Sequence, residues 1–131
     1  MRAVRLLEHA VAQKPETVLD VGVGKGQHAF TFLAQGCRVT GLDVAPPQFE
    51  HPLYEHVHSG YELVDFGDQQ FDMIWCSHTL EHIPNIQHFL IHLRKWLKPV
   101  VGYLLQYQPR VRIVFMWVTV RYGPLHTWSI T

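Results

Sequence analysis

The chain has no excess of charge of either sign, very little cysteine, and no hydrophobic run long enough to cross a bilayer. Eleven Lys and Arg balance eleven Asp and Glu. No basic stretch is interleaved with aromatics, so the pattern gives no reason to expect a nucleic-acid surface. The two cysteines, Cys37 and Cys76, sit in apolar, strand-like runs. That predicts buried thiols of a reducing cytoplasm and not a disulfide. Even the run from Ile113 to Val120 is too short for a membrane and is bracketed by Arg112 and Arg121. The amino terminus, Met1-Arg2-Ala3-Val4-Arg5, leads into a charged amphipathic helix and lacks the apolar core of a secretory signal. A soluble, cytoplasmic protein is the expectation. At 131 residues the chain is long enough for one real core.

What is present is concentrated near the start. Val18-Leu19-Asp20-Val21 is an apolar run of strand type, and it ends in three alternating glycines, Gly22, Gly24 and Gly26. Glycines let the backbone turn sharply and let a ligand approach the main chain. A second strand-like run ends in Gly41-Leu42-Asp43, and Asp43 can accept hydrogen bonds from a ribose diol. The amides of a helix starting just after the loop would face the same ligand. Together these residues form an apparatus for an adenosine-containing cofactor.

The rest of the pattern alternates. A helix is predicted from Arg2 to Gln13, with Val4, Leu7 and Val11 on one face, and Lys14-Pro15 breaks it. Strands are predicted at Thr17 to Val21, Cys37 to Asp43, Tyr54 to His58 and Phe71 to Ser77. The last is continuously apolar and therefore buried on both faces. Helices are predicted from Lys25 to Ala34, burying Phe30, Leu33 and Ala34, and from Ile86 to Leu97, burying Ile86, Phe89, Leu90, Leu93 and Leu97. Lys98-Pro99 stops the latter. Strands alternating with helices imply a parallel sheet covered on both sides.

Three chemistries compete for the site. A dinucleotide fingerprint requires G-x-G-x-x-G, but here the third glycine comes one residue early and position 27 is Gln. This argues against a nicotinamide-dependent oxidoreductase. His78-Thr79-Leu80-Glu81-His82 matches the inverted zinc-peptidase motif H-x-x-E-H. That motif needs a later acidic ligand, and no Asp or Glu follows Glu81. The remaining histidines lack partners at metal-binding spacing, so no metal is expected.

The combination of Asp20, the G-x-G-x-G loop, Asp43, Phe71-Asp72-Met73-Ile74-Trp75-Cys76-Ser77-His78-Thr79-Leu80-Glu81-His82 and Leu97-Lys98-Pro99 resembles the class I S-adenosylmethionine-dependent methyltransferases. The resembled branch carries an FD-x-I-x-x-x-H-x-L-E-H signature after its fourth strand, and the likeness covers roughly residues 15 to 99. It implies a three-layer, Rossmann-like α/β fold with a mainly parallel sheet in the order 3-2-1-4-5, its C-terminal strands incomplete. It also implies that Asp20, Gly22, Gly24 and Gly26 wrap the methionine part of S-adenosylmethionine and that Asp43 takes the ribose hydroxyls. A polar group in Gly60-Tyr61-Glu62, taken here as Glu62, with Asp65 as the alternative, would meet the adenine. Ser77 and His78 would flank the transferred methyl, and His78 and His82 are the candidate bases. The implied partner is a small-molecule methyl acceptor. Methyl transfer is an in-line displacement that needs chiefly approach and alignment, with a base only where the acceptor must lose a proton.

After Pro99 the resemblance fails. The resembled family continues L-K-P-G-G, whereas this chain reads Pro99-Val100-Val101-Gly102-Tyr103. From Val100 onward it has three Arg, no Lys and no acid. A shifted reading frame permits a K-P-G-G-W-L type continuation here and family-like segments later. The domain reading is therefore a cofactor-binding core at 1–99 and a divergent or out-of-frame tail at 100–131. On this reading a single-base change near codon 100 restores an open frame. The tail's β-branched and aromatic residues are expected to cover the sheet edge beside the fourth strand.

Overall fold

The computed structural model describes residues 2–76, 82–98, 113–115, 120–122 and 128–130, with residues 2–6 and the last three segments as backbone path only. Helix α1 spans Arg2–Ala12, strand β1 Thr17–Val21, helix α2 Ala29–Ala34, β2 Arg38–Asp43, β3 Tyr54–His58, β4 Met73–Cys76 and helix α3 Ile86–Trp96. Three short strands follow: β5 at Ile113–Phe115, β6 at Val120–Tyr122 and β7 at Trp128–Ile130.

The main sheet has the order β3-β2-β1-β4-β5, and every adjacent pair runs parallel. This is the order implied by the resemblance. Val18 lies between Val39 on one side and Met73 on the other, so β1 is central. The chain leaves β1 toward β2 and returns on its other side as β4. Ligands of open parallel sheets bind beyond the carboxyl ends of the strands at such a reversal.

Alternation along the strands builds the three layers. Leu19, Val21, Ile74 and Cys76 face Phe89, Leu93 and Trp96 of α3. Val18, Met73 and Trp75 face Ala29, Phe32 and Leu33 of α2 and Ala10 of α1. Trp75, Phe32, Phe71 and Phe89 are among the largest wholly buried side chains. Full burial of a large apolar side chain contributes about 1.5–3 kcal/mol each, so these side chains anchor both layers. Among the described residues no helix is long and apolar enough to cross a membrane.

Several predicted boundaries move. Helix α2 begins at Ala29 and not at Lys25, because the glycine turns continue through His28. Its buried stripe is Ala29, Phe32 and Leu33, while Phe30 is 44% exposed. Helix α3 buries Trp96, whereas Ile86 lies at its exposed start. Strand β4 is shorter than predicted: Phe71 forms only an isolated bridge to Leu97, and Ser77 lies outside the described residues. Cys37 and Cys76 are buried free thiols, one in each layer. Beside β4, β5 occupies the edge through Ile74↔Ile113, and β6 pairs with β7 in a separate antiparallel ribbon.

At the amino-terminal end of the sheet, Asp72 brackets β1 and β4. Its Oδ2 accepts from the amides of Glu16 at 3.0 Å and Thr17 at 3.1 Å. Its own amide donates to Thr17 Oγ1 at 2.9 Å, and Lys98 Nζ lies 3.2 Å from its Oδ1. Burial works to raise the Asp72 pKa, but the hydrogen bonds from Thr17, Lys98 and Glu16 outweigh it and hold the carboxyl below its ordinary value.

Candidate functional site

The opposite end of the sheet is built by the glycine turn. Gly22, Gly24 and Gly26 have φ of 79°, 55° and 84°, a region that costs any residue with a Cβ. Their amides are engaged inside the protein. Gly22 N–H donates to Leu42 O at 2.7 Å, Gly24 N–H to Asp43 Oδ2 at 2.8 Å, and Gly26 N–H to Val23 O at 2.9 Å. With α2 starting only at Ala29, the expected helix amides at the loop give way to a compact turn. A Cβ on Gly26 would lie 2.5 Å from the Phe49 ring, so this glycine also admits an aromatic. A Cβ on Gly24 would meet nothing within 4 Å, which leaves the main chain there open to an approaching group.

A cleft of about 470 Å³ opens over the carboxyl ends of β1, β2 and β3. That lies within the range of small-molecule sites. Gly22, Asp43, Glu62 and His82 all line it, with Val44 and Ile83 as apolar wall. Four of the residues singled out from sequence thus meet in one concavity. Glu62 folds back so that a Cβ on Gly60 would lie 2.6 Å from its Oε1. Asp65, the alternative adenine contact, instead accepts from Gly67 N–H at 2.8 Å in a local turn. Ser77 and His78 lie outside the described residues. Among the described residues no cluster of ligands is suited to a metal.

Asp20 is the anomaly of the site. It is 2% exposed, lies opposite Gly41 and Trp75 in the sheet, and has no side-chain hydrogen bond among the described residues. Burial, and then the nearby Asp43 charge, raise its pKa from 3.8 to about 8. Buried carboxylates are ordinarily paired or hydrogen-bonded. Asp43 itself is held by two amides, its Oδ1 accepting from Ala45 N–H at 2.9 Å. Each oxygen keeps a second lone pair for a ligand hydroxyl.

Sequence reasoning passed over the residues that fasten this arrangement. Gly41 is needed because a Cβ there would collide with the Tyr54 hydroxyl and lie 2.8 Å from Val23 Cγ1. Tyr54 and His56 hydrogen-bond at 2.7 Å, and His56 and His58 reach back to the segment after Asp43. Trp75, buried in β4, donates its indole N–H to His28 Nδ1 at 3.0 Å and ties the glycine turn to the neighbouring strand. Apart from Tyr54 with His56, none of these pairings is local in sequence. The alternation of histidine along β3 was their one visible sign.

A model of the methyltransferase domain matches residues 19–105, well over half of the chain and past the boundary expected after residue 99. The ubiquinone biosynthesis O-methyltransferase of Rickettsia conorii is 32% identical over 91 residues, covering 63% of this chain and 31% of that protein. The protein of the same name from Coxiella burnetii is 28% identical over 105 residues, covering 73% and 45%. The chain therefore spans less than half the length of these relatives. Among solved structures, a plantazolicin methyltransferase in complex with SAH superposes with a TM-score of 0.63 at 17% identity, covering 74% of this chain and 44% of that one. An N-methyltransferase from Bradyrhizobium japonicum in complex with S-adenosyl-L-homocysteine gives 0.61 at 17%, covering 75% and 56%. These two likenesses concern the fold. Turn, cleft, strand order and family match agree, and the chain belongs to the methyltransferase-domain family, within the class I S-adenosylmethionine-dependent group.

Proposed function

We propose that this chain is the cofactor-binding core of an enzyme that methylates a small molecule at the expense of S-adenosylmethionine. The observation that carries the reading is Asp20: a buried carboxyl without a hydrogen-bond partner among the described residues, beneath a glycine turn and beside a second carboxylate. Two neighbouring acids call for a cation, and the cofactor brings a positively charged sulfonium and an ammonium group. When bound, it supplies an electrophilic methyl on that sulfur.

The roles of the chain's own residues follow from the cleft. Asp43 accepts the ribose hydroxyls while its other lone pairs keep the Gly24 and Ala45 amides. Gly22 and Gly24 give the methionine end access to the main chain. Glu62 meets the adenine across Gly60. Asp20 offsets positive charge from below. His82, on the cleft wall, takes a proton from an acceptor that must lose one. Ser77 and His78 are proposed to flank the methyl. The names of the curated relatives favour an oxygen acceptor. A cytoplasmic location accompanies this proposal, as does the division into a core at 1–99 and a tail at 100–131.

The departure from the family's L-K-P-G-G continuation at Pro99-Val100 favours a second reading, in which the core binds cofactor without turnover. Calorimetric titration with S-adenosylhomocysteine tests the first requirement. A folded sample that does not bind would sink the assignment, and loss of binding in Asp43→Ala would support it. Methyl transfer from labelled cofactor to small hydroxylated acceptors then separates enzyme from remnant. Resequencing the gene around codon 100 tests the tail: an uninterrupted original frame with no compensating base change removes the frameshift idea.

A further inference from the structure

Strand β3 forms the outer edge of the sheet, and its side chains do something an edge does not require. His56 Nε2 lies 3.0 Å from the carbonyl of Ala45, and His58 Nε2 lies 2.9 Å from that of Val44. A carbonyl can only accept, so both rings donate from Nε2. In neutral His56 this leaves Nδ1 as an acceptor, and the Tyr54 hydroxyl donates to it at 2.7 Å. Ala45 N–H in turn donates to Asp43 Oδ1, and Gly24 N–H to Asp43 Oδ2. The two rings thus hold the two peptides that meet at the Ala45 Cα: His58 the Val44–Ala45 peptide, whose N–H donates to Asp43, and His56, backed by Tyr54, the Ala45–Pro46 peptide that follows. Tyr54 enters the interior only because position 41 is glycine. Its hydroxyl keeps its proton firmly, since burial and then the charges of Asp20 and Asp43 push its pKa far up.

We propose that Tyr54 and His56 are positioning residues that, by fixing the carbonyl of Ala45 and so the residue whose N–H donates to Asp43, aim the Asp43 carboxylate at the diol of a bound ribose. This rests on the reading of Asp43 as the ribose contact. The Val44–Ala45 peptide has both its groups used, the carbonyl by His58 and the amide by Asp43. His56 clamps the carbonyl of the next peptide, so the backbone is fixed on both sides of the Ala45 Cα and with it the approach of the amide to Asp43 Oδ1. His58 holds the Val44–Ala45 peptide directly but from the solvent side, and its exposure makes it the weaker member.

A purely structural role would weaken all ligands alike. A positioning role weakens those with an intact diol most. The test compares the full 131-residue chain with His56→Leu, His56→Gln and Tyr54→Phe, titrated with S-adenosylhomocysteine and with its 2′-deoxy analogue. Hydrogen bonds to a charged group are worth about 1.5–3 kcal/mol, so the wild-type chain should prefer the intact diol by about tenfold or more. In His56→Leu that preference should fall to about twofold, with affinity for the deoxy analogue little changed. His56→Gln can still donate to Ala45 O and should recover most of the preference. Wild-type preference retained in folded His56→Leu would overturn the inference. Should that variant not fold, Tyr54→Phe decides: a reduced preference supports the inference and an unchanged one overturns it. A wild-type chain that ignores the 2′-hydroxyl would instead overturn the reading of Asp43, and the inference with it.

Discussion

Two aspartates, one at each end of the central strands, reach opposite states: Asp20 is wholly buried and Asp72 only half-buried. Asp72, at the amino-terminal end, gathers two amides and Lys98 and is held below its ordinary pKa. Asp20, at the carboxyl end, has Asp43 as its charged neighbour and rises to about 8. On the proposed reading of Asp20, the difference separates what the fold needs from what the cofactor needs. A carboxylate placed for stability brings its partners with it, whereas one placed for function is left for something else to satisfy. The FD pair of the signature is in this light half structural: Asp72 stands at the far end of β4 from the cleft.

The contrast can be broken from either side. Asp20→Asn removes the unsatisfied charge and should have the largest effect. Folded Asp20 holds its proton far more tightly than the unfolded chain does, so between pH 3.8 and about 8 the native state binds more protons. Stability from this group is therefore lost as pH rises through that window. The variant should gain on the order of 3 kcal/mol at pH 8 relative to wild type in urea melts and lose cofactor affinity. A variant no more stable at pH 8 would show that Asp20 is satisfied in the protein. Asp72→Ala should act in reverse. It leaves the Glu16 and Thr17 amides without their acceptor and should cost about 2 kcal/mol, with S-adenosylhomocysteine affinity unchanged in a folded sample. The pH dependence of that loss also reverses. The Asp72 contribution is complete above pH 3.8 and disappears as pH falls through its depressed folded value, so wild type and variant should converge in acid.

Smaller effects sharpen the comparison. Gly24→Ala introduces no clash but holds φ of 55° with a Cβ, which should cost about 1–2 kcal/mol and weaken binding through the displaced amide on Asp43. Lys98→Met should be the mildest. The lysine side chain is 46% exposed, so its pair with Asp72 is worth less than about 0.5 kcal/mol, and a melt shifted by more would mean the bracket depends on charge.

Much of this was legible beforehand. β1 and β3 were found at their observed bounds because Pro15 and the loop around Pro46-Pro47 isolate them. The place of Asp43 in the cleft was legible through its spacing from the glycines. Helix α2 was harder, because Phe30, Leu33 and Ala34 form as good an apolar stripe as Ala29, Phe32 and Leu33. Only the length of the glycine turn decides the phase. Trp96 was passed over for Ile86 since periodicity does not tell which end of α3 meets the core. The grip of His56 and His58 depends on β3 lying beside β2 with His58 opposite Asp43. That is a property of register, for which no local pattern exists.

The placement of the two cysteines has a consequence of its own. Cys37 lies in the layer of α1 and α2 and Cys76 in the layer of α3, with the sheet between them. They cannot meet without dismantling it, and burial raises both thiol pKa values, with the Asp20 charge adding to the rise at Cys76. Each is thus a silent clock for its own side of the molecule. The rate at which a thiol reagent labels Cys37 times the breathing of the layer under the glycine turn, and labelling of Cys76 times that of the layer behind the cleft. A ligand that cements only the cleft side would slow one clock and leave the other running.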